Sequence, residues 1–493
     1  MTEKIPYTSR ELTPVNADLP RSASVPAVVS YRGYVASMAK LVYYWGYPFV
    51  DVSGRTGQWQ LMKEPGTMAG FIPAAPMNQM GYVSEHLDPH QRWVVSPNND
   101  TIYSSCFANL GVSPVVVQTP TDVPDRHYWT LQVVDAFTNV VFQLGSSART
   151  PGGKFLMVGP EWDGEKPEGF IDVLRIPTNV AWLVPRSFMA PTPESRATSL
   201  AVLGQINVYP LGDDQPGLRT VDPEAISRNG VFPAGLTPEA LAADPEAFRP
   251  QWVNPATFWE KLEEAFELSP TCGPDDQAMA DQARTLLALY RSDPSYKTLL
   301  EDVALEADTE LRAGASYVHS GVDNGNGWQR QENSGVWGTD WFGRAQAAVI
   351  YIMVNDNKEA IYWMRATDAA GTPFNGRNDY TIIFPKDELP PLHEDLGGFW
   401  SLTMYSSDLF MITDRPNGRT NIGTVNLRAD QLKFNDDGSL TVFLGSAEPA
   451  DEIGKANWLP APAGAFALLF RTYIPQESLR DGSYLLPNVV RGR

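Results

Sequence analysis

Histidine and cysteine are both scarce. Only Cys106 and Cys272 occur in 493 residues, which permits one disulfide but excludes a scaffold held together by several, and suits a reducing compartment. The five histidines, His86, His90, His127, His319 and His393, leave little material for a metal centre. His86 and His90 in EHLDPH have i, i+4 spacing, yet Pro89 between them disfavours the helix that would turn both imidazoles to one side. A surface loop is the expectation there, with no metal and no cofactor.

Positive charge is also short: 38 Lys and Arg stand against 58 Asp and Glu, a formal charge of −20. Nucleic-acid binding draws most of its affinity from cations on phosphate, so DNA and RNA are not expected partners, and an anionic membrane surface is disfavoured likewise. No segment approaches the apolar length of a membrane span, and MTEKIPYTSRELTPVNADLP lacks the apolar region of an export signal. The expectation is a cytoplasmic chain. The familiar catalytic signatures GxSxG, HExxH, GxxxxGK[ST] and GxGxxG are missing too. VDNGNGWQRQE, residues 322 to 332, looks like a calcium loop, but Gly325 stands where an oxygen ligand is needed. The Asn99-Asp100-Thr101 glycosylation pattern has no secretory signal to give it meaning.

What the chain does have is aromatic and apolar bulk: 43% hydrophobic residues and 14 Trp, enough for a large packed core. Its 41 Pro and 39 Gly punctuate many short elements. Residues 1–26 are polar and read as an extended arm. From Val29 to Tyr44 apolar residues fall at helical spacing. Then RWVV, TIYSSCFANL, PVVVQT, YWTLQVV, NVVFQL, KFLMV, DVLRI and AWLVP follow as short β-branched and aromatic runs with turn residues between them, the rhythm of a sandwich or barrel. From Asp222 to Ala313 the pattern becomes helical, several segments opening with a capping residue followed by Pro. Strand signals return from Asp379. The expected fold is mainly β with a helical insertion: an N-terminal β domain with a leading helix (27–211), a block of four or five helices and a loop (212–344), and a C-terminal β sandwich (345–493).

Self-comparison suggests that the two β domains are related jelly-roll-like sandwiches. NNDTIY at Asn98–Tyr103 recurs loosely as RNDYTI around Asp379. YWTL at Tyr128–Leu131 recurs as FWSL at Phe399–Leu402, with Trp129 against Trp400. Arg149-Thr150 recurs as Arg419-Thr420, and AWLVPRSF with Arg186 as FALLFRTY with Arg471.

SPNNDTIY and YWTLQVVDAFTN resemble the N-terminal domain family of unknown function 1254; GGFWSLTMY, NWLPAPAG and RTYIP resemble its C-terminal companion 1214. The resemblance implies a two-domain, β-rich protein that is often oligomeric, and implies no reaction. Some relatives carry export signals and this chain shows none.

The residues able to carry chemistry sit at strand ends of the first β domain. Asp100, Tyr103, Asp135, Arg149 and Arg186 are the catalytic candidates; Asn98, Asn139, Lys154, Trp129 and Tyr44 are candidates for holding a substrate. A carboxyl facing apolar walls gains a raised pKa and can exchange protons, a tyrosine can act as acid, and an arginine can hold a carboxylate or an oxyanion. The expectation is a metal-independent hydrolase or lyase acting on a small apolar or carboxylated metabolite, and a homo-oligomer. Non-catalytic ligand binding and structural assembly are the alternatives. Asp100 has two open readings, catalytic base or structural corner.

Overall fold

The computed structural model describes residues 27–68, 72–87, 89–91, 94–213, 230–231, 243, 251–314 and 321–492. The expected arm (1–26), His319 and the helices anticipated between Asp222 and Pro250 lie outside this set, apart from single positions. The described chain is mainly β, with helices before and between its two β regions.

The first β region contains β1 (Thr101–Asn109), β2 (Val115–Thr119), β3 (Trp129–Asp135), β4 (Val140–Gly145), β5 (Gly153–Val158), β6 (Val173–Arg175), β7 (Val180–Phe188) and β8 (Asn207–Pro210). One sheet runs Gly81–Tyr82, β1, β7, β3, β4, and a second runs β8, β2, β5, β6. Along β7, Ala181 and Leu183 point into the core shared by the two sheets, while Val180, Trp182 and Val184 point to the opposite face. That alternation is the two-residue period of a strand. Of the expected strands only RWVV fails. Val94 and Val95 lie in a bend, and Arg92 and Trp93 are outside the described residues.

The second β region contains β9 (Ala360–Arg365), β10 (Tyr380–Phe384), β11 (Phe399–Ser406), β12 (Asn421–Gly423), β13 (Leu440–Gly445), β14 (Trp458–Pro460), β15 (Phe466–Tyr473) and β16 (Val489–Arg491). Each strand of the first region has its counterpart eight labels on. β9, β15, β11 and β12 are neighbours in the order of β1, β7, β3 and β4, and β16, β10, β13 and β14 repeat β8, β2, β5 and β6, including one parallel pair in each. Register agrees as well. Arg186 pairs with Tyr103 and Thr130, and Arg471 with Tyr362 and Ser401; Trp129 faces Ser187 as Trp400 faces Thr472. Gly145 and Gly423 end equivalent strands, and a Cβ on either would meet the carbonyl of Trp129 or Trp400.

Two of the four anticipated repeats need correction. The counterpart of NNDTIY is NKEAIY at 357–362, not the stretch around Asp379, which leads into β10 of the other sheet. Arg149 follows the end of β4, whereas Arg419 precedes β12, so the two are not equivalent. Short shared words misled here because backbone pairing, and not residue identity, defines equivalence.

The helices are α1 (Ala27–Trp59), α2 (Pro193–Leu203), α3 (Phe258–Leu268), α4 (Pro274–Ser292), α5 (Pro294–Gly314), α6 (Trp341–Ile350) and shorter turns. The buried residues Val35, Ala39, Val42, Trp45, Phe49 and Val52 run down one side of α1 at three- and four-residue steps. They share one core with α3, α4, α5, α6 and the outer face of the first sheet. The expected boundary between residues 344 and 345 falls inside α6. Caps agree with the sequence: Pro274 opens α4 after Gly273, and Thr192 caps α2 before Pro193. Among the described residues no helix is long and apolar enough to cross a membrane.

Candidate functional site

Because the side chains alternate, Tyr103, Trp182, Val184 and Arg186 all leave the first sheet on the face away from its inner core. Leu469, Arg471 and Tyr473 do the same in the second. The two outer faces meet, and a cavity of about 170 Å³ lies between them, closed on a third side by Arg55 and Trp59 of α1 and on a fourth by Tyr351–Val354.

The polar wall is built crosswise. Arg186, 3% exposed, donates to Asn355 Oδ1 at 2.7 Å and the Met353 carbonyl at 2.9 Å, both from the chain leading into β9, and to Gln132 Oε1 at 2.8 Å. Arg471, 2% exposed, donates to the Ser96 carbonyl at 3.0 Å in the chain leading into β1, and to Thr403 Oγ1 and Tyr405 Oη at 2.8 Å each. Ser96 and Asn355 occupy matching positions ahead of β1 and β9. Each region's arginine is therefore held by the other region's entry loop, and every one of these acceptors is neutral. A buried guanidinium without a carboxylate at contact distance is costly and needs its hydrogen bonds complete.

Two carboxyls stand behind this wall in matching places. Asp100 accepts from Ser401 Oγ at 2.5 Å and Asn421 Nδ2 at 2.6 Å; Glu359 accepts from Tyr128 Oη at 2.6 Å and from the Ser147 hydroxyl. Burial raises both acids above the usual carboxylate range, opposed for Asp100 by Ser401, Arg471 and Asn421, and for Glu359 by Ser147, Tyr128 and Thr130. Phenols complete the wall. Tyr473 Oη receives Asn98 Nδ2 at 2.6 Å and Tyr362 Oη receives Asn355 Nδ2 at 2.8 Å, while Arg186 lies 5.4 Å over the Tyr103 ring. Two lining residues, Ser96 and Ile352, have left-handed backbone with φ of 49° and 47°, and Ile474, next to the lining Tyr473, has φ of 51°. A β-branched residue in the left-handed region is held there only by its surroundings, a pattern common at ligand sites.

Asn98, Tyr103 and Arg186 are thus the expected residues that the cavity gathers. Asp100 is not among the residues lining the cavity and stands behind Asn98 and Arg471. The chain does bend at Asn99-Asp100, just ahead of β1, as the corner reading expects. Asn98 Oδ1 accepts the Asp100 N–H at 2.8 Å, whereas Asn99 Nδ2 reaches Thr420 Oγ1 and Asp100 reaches Ser401 and Asn421, so the stretch joins the two β regions.

The remaining candidates lie elsewhere. Asp135 and Asn139 belong to a buried cluster under the helices: Asp135 accepts two local N–H groups and Asn139 Nδ2, all at 2.9 Å, and Asn139 Nδ2 also reaches Asp276 Oδ2 at 3.3 Å. Arg149 pairs with Asp395 on the surface, and Lys154 is exposed. Trp129 points into the inner core because it alternates with Thr130. Tyr44 Oη donates to Glu310 within the helical layer. His86 is largely buried, its pKa lowered to about 4 by burial, and among the described residues no group of three or more His, Cys, Asp or Glu could hold a metal ion.

Sequence reasoning missed Arg471, Tyr362, Tyr473 and Glu359. The signal for Arg471 was the likeness of AWLVPRSF to FALLFRTY; the signal for Tyr362 was the second Ile-Tyr pair, at Ile361-Tyr362.

Residues 77–210 match the family described as a protein of unknown function (DUF1254), and residues 359–477 the one described as a protein of unknown function (DUF1214). The chain pairs these two families. The stretch matching DUF1254 includes Tyr103 and Arg186, and the stretch matching DUF1214 includes Tyr362 and Arg471. A crystal structure of a Vibrio parahaemolyticus protein shares 18% identity and a TM-score of 0.62, covering 93% of this chain and 100% of its own. That likeness shows a common fold. An uncharacterized Burkholderia cenocepacia protein is 10% identical over 94% of this chain and 96% of its own, with a TM-score of 0.42. No curated protein matches.

Proposed function

We propose that the cavity between the DUF1254 and DUF1214 regions binds a small, largely apolar carboxylate. The observation that carries this reading is the pair of buried arginines, Arg186 and Arg471, on the wall of one apolar cavity with only neutral hydrogen-bond partners. An anion placed between them receives charge-assisted hydrogen bonds in a site of low dielectric, where they are strongest. The ring of Val184, Trp182, Leu469 and Met353 supplies the apolar walls that small-molecule sites require.

Of the two expected chemistries, hydrolysis and elimination, the wall favours elimination. It has no histidine or cysteine among its described residues, while the Tyr103 phenol makes no hydrogen bond among the described residues and lies beside Arg186. We also infer that each region is a jelly-roll-like sandwich, its two sheets sharing one inner core, and the matched strand orders support derivation of the two from one duplicated ancestor.

Binding is tested by thermal shift and calorimetry with hexanoate and phenylacetate against their primary amides. The carboxylates should stabilise the protein in proportion to concentration and the amides should not. Arg186→Gln and Arg471→Gln should each abolish the difference. Equal responses to acid and amide in the wild type would overturn the proposal.

A further inference from the structure

A second cavity, of about 340 Å³, adjoins the first. Arg55, Val94, Val95, Tyr351 and Ile352 border both spaces and form the partition between them. Arg55 has contacts on both sides. Its Nε donates to Asp51, which faces the second cavity, and its guanidinium stands 5.6 Å from the ring of Trp182 in the first cavity and 4.7 Å from the ring of Trp252 in the second. Ile352, with its left-handed backbone, forms another part of the partition.

The two spaces differ in chemistry. In the first, Arg186 and Arg471 have no carboxylate at contact distance, while Arg55 pairs with Asp51 and Glu85 with Arg196. In the second the charges are matched: Asp51 pairs with Arg55, and Arg312 pairs with Asp308 at 2.7 Å. Tyr47 and Gln251 add neutral hydrogen-bonding groups, and Trp252 lines the same space. A space with balanced charge gives no net attraction to an ion, and favours a neutral group that can both donate and accept.

Resting on the carboxylate reading above, we infer that the second cavity is the outer half of one elongated site. The ligand class is then an aliphatic acid bearing a neutral polar group, hydroxyl or amide, at its far end. The carboxylate lies between Arg186 and Arg471, the apolar chain passes Arg55, and the polar end meets Asp51, Arg312 and Gln251.

The test compares straight-chain acids with their ω-hydroxy counterparts over a series of increasing length, by calorimetry on the full chain. Beyond the length that passes Arg55, the ω-hydroxy acid should bind about tenfold more tightly than the unsubstituted acid, the worth of one well-placed hydrogen bond. The ratio should fall to unity in Arg312→Met, and also in Asp51→Asn, which keeps side-chain volume and so serves if the first variant folds poorly. If short acids bind but no length shows the ratio, or if both variants retain it, the outer subsite is refuted and the carboxylate reading survives. If no acid binds at all, both fall together.

Discussion

Arginine is buried in two contrasting ways in this molecule. Under the helical layer, Arg344 is 0% exposed and meets a full carboxylate, with Nη2 2.8 Å from Asp276 Oδ1. Trp45 Nε1 donates to the same oxygen and Asn139 to the other, so the pair is closed on itself and pins α1, α4 and α6 to the loop after β3. Between the β regions, Arg186 and Arg471 are almost as buried but contact only neutral oxygens and face a cavity. The first arrangement spends its charge on structure. The second leaves its charge beside a cavity, with no carboxylate at contact distance.

The largest expected effect tests that contrast directly. Arg344→Met leaves Asp276 buried without its cation and should cost about 3–5 kcal/mol in urea unfolding. Arg186→Met frees neutral acceptors that can turn to the cavity and should cost less, about 1–2 kcal/mol. Equal losses would erase the distinction between the two arginines.

A smaller effect concerns the acid beside the anchor. Burial, with the Asp276 charge adding to it and Asn139 hydrogen bonds opposing, raises the Asp135 carboxyl to about 6. Its folded state therefore holds a proton more tightly than the unfolded chain does. The resulting stabilisation is present below the ordinary carboxylate value and is lost as pH rises from about 4 to about 6. Relative to Asp135→Asn, the wild type should lose about 3 kcal/mol across that window and stay level above it. A flat difference in pH-resolved melts would show that the neighbouring Arg344 already keeps Asp135 ionised. The smallest effect is at the surface. Arg149→Ala, which removes a pair with both side chains more than 60% exposed, should change stability by less than about 0.5 kcal/mol.

Much of the fold was legible because strand rhythm and helix caps are local signals. Seven of the eight expected runs in the first region became strands at nearly the stated places, and Pro after a capping residue marked real helix starts. Trp129 and Trp400 found their equivalence from a four-residue word. The site was less legible. Asp135 and Arg186 look alike in sequence, each a charged residue at the end of an apolar strand, yet one turns under the helices and the other onto the seam. Which face a side chain takes depends on strand parity, and which neighbour covers that face depends on residues hundreds of positions away: Asn355 for Arg186, Ser96 for Arg471. Asp100 illustrates the same limit, since its partners Ser401 and Asn421 carry no mark in the sequence that ties them to it.

The crossed support of the two arginines bears on the order in which the protein can be completed during synthesis. When the ribosome has made only the first β region, Arg186 has Gln132 but neither Asn355 nor Met353, and Asp100 has neither Ser401 nor Asn421. α1, the first described element to emerge, still lacks α3 to α6. Strand β15, which brings Arg471 to Ser96, is among the last segments made. At roughly 5–20 residues per second the early half waits many seconds with its seam groups exposed to water. The nascent first half is therefore open along the seam that the finished protein covers, and the last strands to emerge act as the closing stitch for both halves at once.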